Sequence, residues 1–405
     1  MKNLKNILLI SLLLIGVSSC QEFVQNVDDP ISSVDDALLN NESQADFLIT
    51  GVQGKFAKTF GQASVFAGGL SDEMIFDRNV PGATYPQYED MDFGTIQINN
   101  NSVKDLELDL GQLRLYADTL AGRAKLIAWT DTAKMNLTYY TGYLYGGIAR
   151  FMYAAYFALE EENGGGVING GPFIPSATMY NLALERFDLA LSYVDPSSSD
   201  ARLVHSLKAR IFLITGQYTS AASEAALGYT AADGTFDAQH SSEIIANNFW
   251  WADAGNGRSQ WAVDARFNGY VLADSKEASR IPLQEIKGND DSTIYHLQNK
   301  YPEDKSPAVV LSWQEMQLIQ AEVLARNSQN TEALTFVNAV RASHGLDART
   351  ETNLDSIMIE RDKELFCFGL RLTDQRRNNT WHLPAGTWKF LPITEEERES
   401  NPNLK

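Results

Sequence analysis

Two segments of the chain, about residues 200–227 and 312–344, follow one plan: a helix, a tight turn, then a second helix, with alanines where the two would touch. In the first, Ala209 and Leu213 precede Gly216-Gln217-Tyr218, and Ala221 and Ala225 follow. In the second, Ala321 and Ala325 precede a short turn, and Ala333 and Val337 follow. Small side chains at helical spacing let antiparallel neighbours approach closely. A lone helix pair cannot bury its apolar face, so such units stack on one another. The pattern therefore demands helix-on-helix packing.

The remaining periodicity agrees. Phe47, Ile49, Val52 and Phe56 share one face of a helix predicted at about 43–60. An aromatic-rich helix is predicted at about 135–162, stopping at Gly164-Gly165-Gly166, with others at about 178–194 and 354–371. The Gly-x-Tyr-x-x-Ala run resembles a tetratricopeptide-repeat (TPR) turn. The expected fold class is all-α, a TPR-like helical repeat scaffold with pairs at about 178–228 and 312–345; a generic helical bundle satisfies the same pattern. Two regions, about 61–112 and 229–311, are rich in Gly, Asn, Asp and aromatic residues and read as long irregular loops. Loops of that length in a folded domain usually carry function.

At the N-terminus, Lys2 and Lys5 precede an apolar run from Ile7 to Ile15, too short for the ~20 residues of a membrane-spanning helix. Val17-Ser18-Ser19-Cys20 follows, and the order resembles a bacterial lipobox. Residues 1–19 thus read as an export signal, Cys20 as the lipid-bearing residue, and 20–40 as a polar tether containing Pro30; an ordinary cleaved signal followed by a chance cysteine is the alternative. An acylated Cys20 leaves no intrachain disulfide possible between the chain's two cysteines. Acyl chains then hold the protein at the membrane.

The chain has 52 acidic and 33 basic residues, a formal net charge of −19, so it repels phosphate backbones and a nucleic-acid partner is excluded. Catalytic signatures are missing: no Gly-x-Ser-x-Gly, His-Glu-x-x-His, Walker loop or paired CxxC occurs, and the five histidines are scattered. The glycine run at 164–171 has Asn169 where a dinucleotide fingerprint needs glycine and reads as a turn. Neither an enzyme nor a metal or other cofactor is expected.

The C-terminal third carries an ordered set of segments. Ser306-Pro307-Ala308-Val309-Val310-Leu311-Ser312-Trp313 leads into Ala321-Glu322; then come Asn338-Ala339-Val340-Arg341, Glu360-Arg361-x-x-Glu364-Leu365, Gly369-x-Arg371-x-x-Asp374-x-Arg376-Arg377 and Leu391-Pro392-Ile393. Together with the lipobox, Phe173-Ile174-Pro175-Ser176 and the repeat pair, this succession resembles the SusD/RagB family of nutrient-binding outer-membrane lipoproteins. Cys367-Phe368, Leu372-Thr373 and Thr394 depart from that pattern. The resemblance implies one SusD-like domain over 41–405, at the outer membrane and exposed on the cell surface. It implies a non-catalytic receptor that captures a glycan, or less often another nutrient, and presents it to a SusC-like TonB-dependent transporter. A TPR-type protein-interaction scaffold without a small-molecule ligand is the second reading.

Sugar rings pack C–H groups on aromatic faces while their hydroxyls need planar polar partners. Phe76, Asp77 and Arg78, beside Asn79, and the tryptophans Trp250, Trp251 and Trp261, flanking Asn256 and Arg258, are accordingly the candidate ligand residues. If the chain is extended at Trp250-Trp251, only one of the pair faces the ligand. The charges at 360–377 read as structural: Glu360, Glu364, Arg371, Asp374 and Arg377 are expected to interlock and fix their helix against a following strand-like segment.

Overall fold

The computed structural model describes residues 36–243, 245–254 and 259–405. The export signal, Cys20 and most of the tether lie outside them, as do Asn256 and Arg258. Among the described residues no helix is long and apolar enough to cross a membrane.

Helices dominate. Helix α1 (Ala45–Leu70) is followed by a short α2 (Pro86–Asp92), then by α3 (Asn101–Ala124) and α4 (Thr132–Tyr156). Polar caps set the starts: Asn100 accepts from the amides of Ser102 and Val103, and Asp131 from those of Ala133 and Lys134. The two TPR-like pairs form as expected. Helix α5 (Ser176–Leu191) leads to α6 (Ser199–Ile214) and α7 (Tyr218–Ala226), joined through Gly216, whose φ of 73° suits a residue without Cβ. Farther along come α8 (Ala265–Ala273), α9 (Trp313–Arg326) and α10 (Asn330–Ser343). Ala209, Ala221, Ala321 and Ala333 are all fully buried. The pairs also pack on each other, α7 and α6 against α9, far apart in sequence. At that junction the buried Arg210 donates to the carboxylate of Glu315 at 2.8 and 2.6 Å.

Several boundaries differ from expectation. Region 61–112 is not a long loop: α1 runs through Leu70 and α3 begins at Asn101, leaving irregular chain only in part of 71–100. Glycines 61, 68 and 69 lower helix propensity, but packing outweighs it. The described part of region 229–311 is not a long loop either. It holds strands β5 (Thr235–Ala238), β6 (Ala262–Val263), β7 (Leu283–Lys287), β8 (Ile294–Gln298) and β9 (Ala308–Ser312), besides α8. The aromatic helix ends at Tyr156; Phe157–Glu160 is a strand, β2, and the glycines predicted as a turn form its antiparallel partner β3 (Asn163–Gly166). A short β4 (Ile174–Pro175) and a C-terminal β10 (Leu391–Pro392) complete this small sheet, in the order β10-β2-β3-β4.

The last predicted helix, about 354–371, ends early as α11 (Leu354–Glu364), where Cys367 and Gly369 both take left-handed backbone, and a separate helix α12 (Arg371–Arg377) follows. A turn and a second helix, rather than a strand, therefore come after α11. The charges at 360–377 are ion-paired as expected, but mostly to distant partners: Glu360 to Arg280, Arg341 and Arg349; Arg377 to Glu322 and Asp374; Arg371 to Asp72. Glu360 and Glu364 share Arg280.

Candidate functional site

The two predicted ligand regions meet through a short strand pair. Strand β1 (Met74–Ile75) runs antiparallel to β6, with Met74 opposite Val263 and Ile75 opposite Ala262. Phe76-Asp77-Arg78 thus leaves the pairing beside Trp261. From there an aromatic column rises from core to surface. Trp261 lies flat on Tyr88 (centroids 5.3 Å apart, 13° between planes) and meets Phe76 edge-on at 6.1 Å. Tyr88 meets Tyr85 edge-on at 5.6 Å, and Tyr85 stacks on Trp251 at 6.0 Å and 19°.

The column corrects the assignment of Trp261 as a ligand contact. Its relative exposure is 0 %, and it sits over Gly69 of α1, where any Cβ would collide with the indole. Phe76, at 7 %, is likewise a buried support rather than a surface platform. Trp250 and Trp251 are both half-buried. The chain there is not extended: Trp250–Ala254 is one π-helical turn, capped by the buried Asn247, which accepts from the amides of Phe249 and Trp250. Strand alternation therefore does not decide which tryptophan faces out. Trp251, with Tyr85, forms the half-exposed end of the column.

Beside the column lies a polar edge. Asp77 accepts from the Tyr295 hydroxyl at 2.5 Å and from the Asn79 amide at 2.8 Å. Asn79 donates to the same hydroxyl at 3.2 Å, and its side-chain oxygen accepts from the amide of Asp290 in the β7–β8 turn. Asp77 is therefore committed to holding that hairpin, although it remains half-buried. Arg78 projects into solvent and makes a two-pronged bond to Glu89, at 3.0 and 2.5 Å. That pairing holds the Glu89 carboxyl below its ordinary value. Burial pushes the neighbouring Asp92 up to about 7, with Asp264, Asp77 and Glu89 adding to the rise.

Sequence reasoning missed the residue that shapes this edge. Gln260 is fully buried; its side-chain oxygen accepts from the amides of Thr84 and Tyr85, and its amide donates to Gly82 at 2.6 Å. One glutamine thus fixes the 82–85 loop and sets Tyr85 against Trp251. Nothing in the local sequence marks it, since its partners lie about 175 positions away. The half-exposed rings of Tyr85 and Trp251 and the carboxylate, amide and guanidinium groups of residues 77–79 are the group types that suit a polyhydroxylated ring. Among the described residues no cluster of His, Cys, Asp and Glu is arranged to hold a metal ion.

No protein-family model matches the sequence, and no curated protein does. Solved structures do match the fold. A SusD superfamily protein from Bacteroides vulgatus aligns with a TM-score of 0.73 at 11 % identity, over 89 % of this chain and 97 % of that one. A SusD-like carbohydrate-binding protein from the same organism aligns with a TM-score of 0.71 at 13 % identity, over 90 % and 97 %. A laminarin-binding SusD-like protein gives 0.72 at 16 %, over 89 % and 99 %. The chain has the SusD-like fold, helical and TPR-like as the sequence predicts.

Proposed function

We propose that this protein is a non-catalytic glycan receptor of the SusD type, held at the outer-membrane surface by a lipid on Cys20. It captures an oligosaccharide and hands it to a TonB-dependent transporter of the SusC type. The observation that carries the reading is the Tyr85–Trp251 stack, the half-exposed end of an aromatic column whose buried base packs on Phe76, the residue that leads into Asp77 and Arg78. The fold supports it, because structures named for carbohydrate and laminarin binding share this architecture.

On this reading Trp251 supplies the ring on which a sugar packs, Tyr85 backs it, and Trp250 borders it. Arg78, already neutralised by Glu89, offers N–H donors without a strong net charge. The test is a glycan array with the wild-type protein, then calorimetric titration of the best ligand. Trp251→Ala should weaken binding by about 1–3 kcal/mol, roughly tenfold or more, with folding intact. Trp261→Ala should instead lower stability, since it empties a buried site. Wild-type affinity in Trp251→Ala removes the aromatic stack from the site, and silence on every glycan favours the protein-interaction scaffold.

A further inference from the structure

A second cavity, of about 450 Å³, lies between α5, α12 and the 381–390 loop and shares no lining residue with the aromatic face. Its wall includes Tyr180, Gln375, Arg376, Trp381, Lys389 and Phe390. Two polar groups in that wall are incompletely satisfied, and they have opposite needs.

The first is the Arg376 guanidinium. It donates to the backbone carbonyls of Lys389 (2.7 Å) and Ala155, and lies over the Phe390 ring with its central carbon 3.8 Å from the centroid. Among the described residues no carboxylate pairs with it, and its resolved electrostatic neighbours are two phenols, Tyr156 and Tyr180. Its neighbours are treated differently: Arg377 is neutralised by Glu322 and Asp374, and Lys389 by Glu162. A half-buried cation without a counter-ion is costly, and here it stands in a chain of net charge −19.

The second is Gln375, whose relative exposure is 0 %. Its amide nitrogen faces the Thr380 carbonyl (3.4 Å) and His382 Nδ1 (3.3 Å), while its Oε1 has no hydrogen-bond partner among the described residues. Flipping the amide would set Oε1 against the Thr380 carbonyl oxygen, so the orientation is fixed by its surroundings. Trp381 is anchored through its indole N–H to Thr387 at 3.1 Å, leaving its ring as wall.

Gln375 Oε1 is itself enclosed, so the ligand is set by the rest of the wall: an anionic acceptor for Arg376 and an apolar ring face for Trp381 and Phe390. We propose that this cavity is a second binding site, for an acidic sugar of the hexuronic acid class, with its carboxylate on Arg376 and its ring against Trp381. The shared chemistry is a carboxylate, so the probes separate a ring-borne acid from a bare one.

The experiment titrates the full chain with galacturonate, glucuronate, galactose and acetate, followed by calorimetry or ligand-observed NMR. At least one uronate should saturate, at least tenfold tighter than galactose or acetate. Arg376→Gln should weaken that binding at least tenfold, and Trp381→Ala, which leaves the guanidinium and its carbonyl contacts in place, should weaken it severalfold. Trp251→Ala should leave it unchanged, which keeps this site separable from the aromatic face. No saturation by either uronate, equal affinity for galactose or acetate, or wild-type uronate binding in both Arg376→Gln and Trp381→Ala overturns the proposal. So does loss of uronate binding in Trp251→Ala with retention in Arg376→Gln, which would assign the acid to the aromatic face.

Discussion

Gly69→Ala tests whether the ligand face is built on α1. In an ordinary helix interior this change stabilises by about 0.8–1 kcal/mol, because alanine is the better helix former. At position 69 the new Cβ would lie 2.8 Å from Cζ3 of Trp261 and closer still to Cζ2 and Cη2. The indole cannot swing aside: it is fully buried, with Tyr88 flat against it and Phe76 at its edge. Overpacking of this kind costs about 1–3 kcal/mol. The two effects have opposite sign, and with contacts this short the collision is the larger, so Gly69→Ala should destabilise by up to roughly 2 kcal/mol. Gly51, on the same helix, has nothing among the described residues within 4 Å of the point where a Cβ would stand, so Gly51→Ala is the matched control and should stabilise. Urea unfolding of the wild type and the two variants reads both signs directly. Trp261→Phe should relieve part of the penalty, giving a coupling above about 0.5 kcal/mol in the double-mutant cycle. If Gly69→Ala is as stable as Gly51→Ala, the contact between α1 and Trp261 is misplaced and the column loses its base.

Ala221→Leu, at a fully buried contact of α7, should lower the urea midpoint by an amount corresponding to roughly 1–3 kcal/mol, and an unchanged midpoint would put this residue outside the stack. Burial pushes the Glu73 carboxyl up to about 7, with Asp362 adding to the rise and the Cys367 amide, Arg266 and Arg371 opposing it. Its folded-state value lies above the unfolded value of 4.5, so its contribution is fully present below about pH 4.5 and is lost as pH rises through about 7. Glu73→Gln should therefore match wild type near pH 5 and exceed it by roughly 1–3 kcal/mol near pH 8; an equal shift at both pH values would contradict the assignment. Cys20→Ala should leave the protein unlipidated, and continued partition into a detergent phase would refute the anchor.

The helical scaffold is legible in the sequence because its signals are local. Ala209, Ala221, Ala321 and Ala333 mark close contacts by size and spacing alone, and all four are buried. The order inside the expected loops is hidden for the opposite reason. Gly68 and Gly69 weaken a helix by propensity, and only the distant Trp261, which fills the space over Gly69, explains why the helix continues through them. The aromatic positions are likewise visible as a set but not as a sequence of depths. Trp251 and Trp261 are the same residue type in the same region, yet one ends the column half-exposed and the other is its buried base. Gln260 is invisible, since its hydrogen bonds join segments about 175 residues apart.

The charges that resemble a family signature at 360–377 belong to the same construction as the loop at 71–79. Arg371 donates to the Asp72 carboxylate at 2.5 and 2.8 Å, and Arg266 reaches both Asp72 and Asp362. One residue on, Glu73 accepts from the Cys367 amide at 2.9 Å. Asp72 and Glu73 immediately precede β1, the strand that pairs with β6 and leads through the buried Phe76 to Asp77 and Arg78 at the surface. The left-handed turn at Cys367 and Gly369 aims that amide at Glu73, which is why α11 breaks where sequence periodicity carries the helix onward. Two motifs separated by nearly three hundred residues are thus one joint. It sets the start of the loop that carries the polar edge.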